Sequence, residues 1–277
     1  MPRASRFFTR VTVVVSLLAA ANFLAPASGP TAGAAATDPL EPDLRTRRPN
    51  NLVLQRDSGE ASGADIIRFS NEILNRGLGP MEMRPEGDCD GDGEGENDDD
   101  RMAYQRVFQD TNDNDVFDRY GTDKDTALER EAGCTHFHPA HNHWHFDDFA
   151  LYELLPYTAE GGLGERVAWS EKIGFCLVDT TQPKPNLPSS PKLQFYRGGC
   201  LADDPTGISV GWADTYGYNL PHQWVDVTGV PNGRYCLRST ADPSNVLVES
   251  KDFNNSRSIK VRLRTNRVDY KPRRGCR

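Results

Sequence analysis

The sequence predicts an all-β chain: a β-sandwich with long loops, stabilised by disulfides. Three observations carry that prediction. Short strand-like runs recur along the chain, turn chemistry separates them, and six cysteines follow an N-terminus that reads as an export signal.

The first segment stands apart. MPRASRFFTR carries Arg3, Arg6 and Arg10, and VTVVVSLLAAANFLA supplies an apolar core too short for a membrane span. Small residues follow, with Ala-x-Ala sites at Ala25-Pro26-Ala27 and Ala34-Ala35-Ala36. Residues 1–36 therefore read as a signal peptide and small-residue leader, cut after Ala27 or Ala36. No other apolar run approaches the roughly 20 residues that cross a bilayer, so a secreted, extracellular protein without a membrane partner is expected. The leader holds three arginines and no acid, so its removal takes the formal charge from -8 to -11. So acidic a chain is a poor partner for nucleic acid, whose phosphates need a basic surface. It would attract cations instead.

Residues 37–50 (TDPLEPDLRTRRPN) are proline-rich and charged, an extended lead-in to a single domain over residues 51–277. The strand-like runs are NLVLQ (51–55), DFALYELL (148–155), RVAWSEKIGFCLVD (166–179), QWVDVTGV (223–230), GRYCLRSTA (233–241) and RSIKVRLR (257–264). Pro231-Asn232-Gly233 marks a turn between two of them. ADIIRFSNEILNRGLGPMEM (64–83) has apolar spacing that also allows a helix. Its isoleucines and closing Gly-Leu-Gly-Pro are read as two strands and a loop.

The middle of the chain is acidic. At 88–100, Asp88, Asp90 and Asp92 precede Gly93 in the D-x-D-x-D-G order that sets alternate oxygens around a calcium ion. At 110–121, Asp110, Asn112 and Asn114, with Asp118 further on, repeat the spacing. Asp99 and Gly121 stand where an EF-hand has its bidentate glutamate, so these are not EF-hands. The competing reading is a solvated acidic loop. Cys89, Cys134, Cys176, Cys200, Cys236 and Cys276 form no C-x-x-C pair, which argues against a zinc ribbon, and they are expected to bridge to their sequence neighbours.

Five of the six histidines fall between His136 and His145, in HFHPAHNHWH. His141, His143 and His145 alternate with Asn142 and Trp144, so on a strand the three imidazoles share one face. Unpartnered, they would be costly to bury, and a metal satisfies them. Strand rise spreads the outer two Cα atoms about 13 Å apart, so the strand must bend or end there to reach one ion. An all-imidazole set suits copper, zinc, iron or nickel. Spacing alone leaves copper and zinc open.

HNHWHFDDFALYEL resembles the copper-binding motif of the lysyl oxidase family. SEKIGFCLVD resembles that family's segment with the cofactor lysine, and WADTYGYNLPHQWVDVTGVPNGRYCLR its segment with the cofactor tyrosine. NVLVESKDFNNS is similar to the strand that follows, and all four occur in collinear order from about residue 40 onward. The resemblance implies that His141, His143 and His145 bind copper and that Lys172 and Tyr216 form lysine tyrosylquinone, with His138 at the place of a fourth histidine. The chain departs from the family in having Ala140 where a cysteine is usual, fewer cysteines, a longer loop between Lys172 and Tyr216, and the two aspartate loops.

The implied chemistry is oxidation of a primary amine, including the amine of a lysine-containing peptide or protein. The amine condenses with the quinone, which divides one hard step into easier ones. A base removes the proton from the α-carbon; Asp214 is the candidate, with Asp147 and Asp148 behind it. Hydrolysis frees the aldehyde, and molecular oxygen regenerates the cofactor with release of hydrogen peroxide and ammonia. Taken singly, Lys172 is an ordinary solvated lysine and Tyr216 an ordinary core tyrosine; only the joint pattern gives them roles. His222 is left without one. Two other classes compete: a calcium-stabilised extracellular adhesion module lacking the quinone, and a zinc hydrolase using the same histidines. The hydrolase lacks an H-E-x-x-H or a positioned glutamate. Oligomeric state is not legible.

Overall fold

The computed structural model describes residues 38–91, 99–122, 124–139, 142–170 and 173–276. The export segment and leader, residues 1–36, lie outside the described residues. The strands, in order, are β1 (Pro39–Leu40), β2 (Leu44–Thr46), β3 (Asn50–Ser58), β4 (Ala64–Asn75) and β5 (Met81–Glu86). Then come β6 (Asp100–Gln109), β7 (Thr126–His138), β8 (His143–Pro156), β9 (Ala168–Trp169), β10 (Ile173–Phe175) and β11 (Thr206–Ile208). β12 (Ala213–Tyr216), β13 (Trp224–Asp226), β14 (Gly233–Ala241), β15 (Ser256–Arg264) and β16 (Arg267–Tyr270) complete them. No α-helix occurs among the described residues.

The larger sheet runs β11-β5-β6-β7-β8-β14-β15-β16, with β1 added on β6 and both β9 and β10 on β8. The smaller runs β12-β4-β13, with β2 and β3 also on β4. The apolar sides of the two sheets meet. Ile67, Phe69 and Ile73 from β4 share one core with Phe149, Tyr152, Leu154, Leu237 and Ile259 of the larger sheet. Phe69 meets Tyr152 edge to face, with ring centroids 4.7 Å apart. Each such fully buried side chain contributes about 1.5–3 kcal/mol relative to exposure. A β-sandwich is the architecture the patterning predicted.

β8 is bordered on both edges. Phe146 lies opposite both Thr135 of β7 and Phe175 of β10, and Ala150 opposite both Ile173 of β10 and Ala241 of β14. β7 and then β14 therefore follow one edge of β8, while β10 and β9 follow the other. The run at 166–179, read as one strand, forms only the short β9 and β10. Its Ser170 breaks it, donating from its amide to the Tyr152 carbonyl and accepting from the Tyr152 amide at its hydroxyl.

The segment 64–83 is two strands and a loop, as its isoleucines and glycines suggested. The loop is clamped onto the lead-in, whose Leu40 and Leu44 are buried. Asn75 organises the clamp: its Oδ1 accepts from the Asp43 and Gly77 amides, and its Nδ2 donates to the Gly79 and Ile208 carbonyls. The cysteines pair with their sequence neighbours, Cys89–Cys134, Cys176–Cys200 and Cys236–Cys276.

The clamp needs glycine for space. A Cβ on Gly79 would stand 2.0 Å from the Leu40 carbonyl oxygen, which is backbone and cannot swing aside. Gly79→Ala is expected to cost about 1–3 kcal/mol, the range for forced overpacking. Urea denaturation measures it, and a midpoint equal to wild type would mean that the lead-in does not depend on this contact.

Candidate active site

The histidines occupy the tip of the β7–β8 hairpin. His138 lies directly opposite His143, and His136 opposite His145. Cross-strand partners share a face, so the hairpin gathers four imidazoles where a single strand would spread them out. Asn142 closes the turn in the left-handed region (φ 54°), its amide donating to the His138 carbonyl; asparagine tolerates that region better than most residues. His141 belongs to the connection and lies outside the described residues.

His143 and His145 bring their Nε2 atoms to 2.8 Å. Two nitrogens about 2.0 Å from one ion stand about 2.8 Å apart at a right angle and about 3.3 Å apart at the tetrahedral angle. The observed separation lets both nitrogens reach one ion, and in the unloaded chain it is also the length of an imidazole–imidazole hydrogen bond. The His138 ring stacks 5.1 Å from that of His145, and His222 approaches His138 at 5.6 Å. These residues fit a metal of the copper class.

A cavity of about 590 Å³ opens beside them, lined by His138, His145, His222, Glu60, Trp169 and Trp224 among others. Sequence reasoning missed Glu60, the residue that shapes the wall. Its Oε1 accepts from the His222 amide at 3.0 Å and from the Trp224 indole at 3.3 Å, while Oε2 pairs with Arg68. No local motif marks it, because its partners lie more than 150 residues away for two of these three contacts. His136, also unassigned, faces Asp147 through Nδ1.

Tyr216 ends β12 in the second sheet. Its hydroxyl accepts from the Cys176 amide at 2.8 Å and donates to the Cys176 carbonyl at 3.2 Å, and its ring lies 3.9 Å from that of Phe175. The disulfide carries this anchorage across to the histidines: Cys176 is bonded to Cys200, whose carbonyl accepts from the Trp144 amide at 2.8 Å. β10 itself presses on the metal strand. A Cβ on Gly174 would meet the His145 Cβ at 3.1 Å and the Phe146 carbonyl at 3.2 Å. Lys172, one position before β10, lies outside the described residues.

Asp214 is fully buried, and neither carboxylate oxygen closes a hydrogen bond of normal geometry; the Val178 and Thr215 amides come near without doing so. Burial raises its pKa well above the usual carboxylate value. Burial, and then the proximity of Asp214, also raises the Tyr216 phenol well above its usual value. Both groups are therefore harder to ionise here than in water.

The acidic loops differ from each other. Asp88, Asp90 and Asp100 bring one carboxylate oxygen each within 4.8 Å of the others; Asp92 lies outside the described residues. In the β6–β7 loop, Asp110 accepts from the amides of Asn112, Asp113 and Asp115. Asp118 Oδ2 accepts from the side-chain amides of both Asn112 and Asn114. That loop closes on itself, using oxygens an ion would need.

The sequence model of the lysyl oxidase family matches residues 113–271, more than half of the chain. Protein-lysine 6-oxidase of Homo sapiens is 34% identical over 120 residues, which are 43% of this chain and 26% of that protein. Lysyl oxidase homolog 1 of Homo sapiens is 35% identical over 121 residues, 43% of this chain and 19% of that protein. Protein-lysine 6-oxidase of Sus scrofa is 32% identical over 127 residues, 46% of each. The chain thus spans less than half the length of these curated relatives.

Two measurements bear on the ions. Copper loading of purified protein should give about one ion per chain, and His143→Ala or His145→Ala should lower that at least tenfold at limiting copper; undiminished copper in both variants would refute the assignment. Calcium should raise the melting temperature with the logarithm of its free concentration, and Asp88→Asn with Asp90→Asn should remove the effect. A melting temperature flat across a wide calcium range would leave the 88–100 loop as a solvated acidic segment.

Proposed function

The chain belongs to the lysyl oxidase family, and from that premise we propose that it is an exported, copper-dependent amine oxidase whose quinone is made from Lys172 and Tyr216. The observation that carries the reading is the 2.8 Å approach of His143 and His145 Nε2 on a strand whose neighbour, β10, leads directly into Cys176, the residue whose backbone holds Tyr216 by its phenol. The relatives named for protein-lysine oxidation support a primary amine substrate, the side chain of lysine in a peptide or protein. Molecular oxygen is the co-substrate.

His141, His143 and His145 hold the copper. The quinone supplies the electrophile and takes the two electrons that leave the amine. The protein's own groups do the remainder. A lysyl side chain needs a slot with apolar walls and a polar mouth, and the 590 Å³ cavity has Trp169 and Trp224 as walls, with Glu60 and Asp226 among its lining. Indole faces attract an ammonium group by cation–π contact, worth about 0.5–2 kcal/mol. Asp214 is the acid–base group: burial makes its carboxyl harder to ionise, and positive charge developing nearby favours the carboxylate form that accepts a proton. Export is supported by three disulfides, which persist in oxidising compartments. No helix of the described residues is long and apolar enough to cross a membrane.

Lys172 and Tyr216 decide the proposal. Copper-matured protein given a primary amine should release hydrogen peroxide, and Lys172→Arg and Tyr216→Phe should release none. Arginine keeps the charge but stays protonated and is a poor nucleophile; phenylalanine keeps the ring without the oxygen. Asp214→Asn should bind copper normally and lower kcat at least tenfold. Peptide mapping of active protein should recover Lys172 and Tyr216 in one cross-linked pair. Wild-type oxidation by the variants, or both residues unmodified in active protein, would point instead to a metal-binding adhesion module.

A further inference from the structure

Charge is distributed very unevenly over this acidic chain. Residues 256–277 hold nine lysines and arginines against one acid, Asp269, while the whole chain has a net charge of -8. The cations are concentrated on one surface. In β15, Ile259, Val261 and Leu263 are buried, so Lys260, Arg262 and Arg264 point outward. On the neighbouring strand Arg234 stands directly opposite Arg262. Like charges placed directly opposite are destabilising, and among the described residues neither of the two forms an ion pair. Asp269, across from Arg262 in β16, gives its carboxylate to Arg264 and Arg267 instead. Among the described residues, Arg234, Lys260, Arg262, Lys271, Arg273 and Arg274 form no ion pair.

These cations surround a hollow of about 510 Å³ lined by Arg234, Lys260, Arg262, Lys271 and Arg274, together with Tyr157 and Tyr270. The Tyr157 hydroxyl oxygen is buried without a hydrogen-bond partner, and Lys260 Nζ lies 5.2 Å over its ring. Two more hollows adjoin, one of about 840 Å³ sharing Arg234 and Arg262, the other of about 530 Å³ sharing Lys260 and Arg274. The three make a track, longer than a single small anion requires. Tyr157 follows the last residue of β8, whereas the histidines begin it. Eleven residues of strand separate His145 from Pro156, about 35 Å at normal rise. That is several Debye lengths at physiological salt, so the basic face does not repel a cationic substrate from the cavity.

We propose that this face is a docking site for an anionic polysaccharide. Its sulfate or phosphate esters are held by Arg234, Lys260, Arg262 and Arg274, and its sugar rings lie on Tyr157 and Tyr270. Guanidinium groups match tetrahedral oxyanions in geometry. A glycan is favoured over nucleic acid because the three disulfides point to an oxidising, extracellular setting. Docking there ties the protein to a polymer by one end of β8 while leaving the histidine end open.

Heparin serves as the sulfated probe, with single-stranded DNA of equal charge as the comparison. The full chain should bind heparin at physiological salt at least tenfold more tightly than the DNA. Arg234→Gln with Arg262→Gln, and separately Lys260→Gln with Arg274→Gln, should weaken heparin binding at least tenfold and reduce the salt slope by about one per residue removed. Both double variants should keep the wild-type melting temperature to within a few degrees and the wild-type rate on a small amine. Absence of heparin binding, retention of it by both folded variants, or equal affinity for DNA would each overturn the proposal.

Discussion

β8 runs from His143 to Pro156 with partners along both edges, and its register decides where each functional side chain points. A one-residue slip in a strand moves every side chain to the opposite face. Here it would turn His145 away from the cavity and put Tyr152 and Leu154 out of the core together. The register is held by that core and by a bulge in β7. Ala103 lies opposite Gly133 but Tyr104 opposite Glu131, with Gly133 at φ 117°. Only glycine adopts that conformation without strain. The bulge offsets β7 just before Thr135–His138 meets β8, so the pairing of His138 with His143 depends on it.

Long loops could not hold Tyr216 in place without internal anchors, and these are buried polar groups more than apolar ones. Asp179 fixes the loop between β10 and β12. Its Oδ2 accepts from the Phe195 and Tyr196 amides and from the Ser209 hydroxyl, and its Oδ1 from the Ser209 amide. A buried carboxylate so furnished loses much of the cost of leaving water. Cys176–Cys200 acts on the same loop, linking the backbone that binds the Tyr216 phenol to the carbonyl that binds the Trp144 amide. One loop thus connects the second sheet to the strand that carries His143 and His145.

Much of this was legible in residue pattern. GRYCLRSTA is β14 to the residue, and the alternation of RSIKVRLR falls within β15. β6 and β7 were not read as strands, for different reasons. In β6 the alternating buried positions include Gln105, which meets the Val248 backbone through both its amide oxygen and its amide nitrogen. A polar residue in an apolar period hides the period. In β7, Thr126–Ala132 pairs only with β6 and is largely exposed, so its charges look like those of a loop. The clustering of the histidines was legible, but as one alternating strand. The hairpin that pairs His138 with His143 depends on long-range strand order and cannot be counted off the sequence. His222 and Glu60 converge on the cavity from loops remote in the chain, beyond the reach of any local motif.

The electrostatics around Tyr216 follow from the same packing. Tyr216 and Asp214 are two residues apart on β12, Asp214 fully buried and Tyr216 partly buried against the core. Burial raises the cost of ionising either one, and the neighbouring Asp214 adds to the cost for Tyr216. A phenol is far harder to oxidise than a phenolate, and this packing favours the phenol. A cation bound close by would oppose that preference, because a charge pair in a low-dielectric interior interacts several times more strongly than in water. The ionisation of Tyr216 is therefore set by the charge its surroundings hold as much as by the phenol itself.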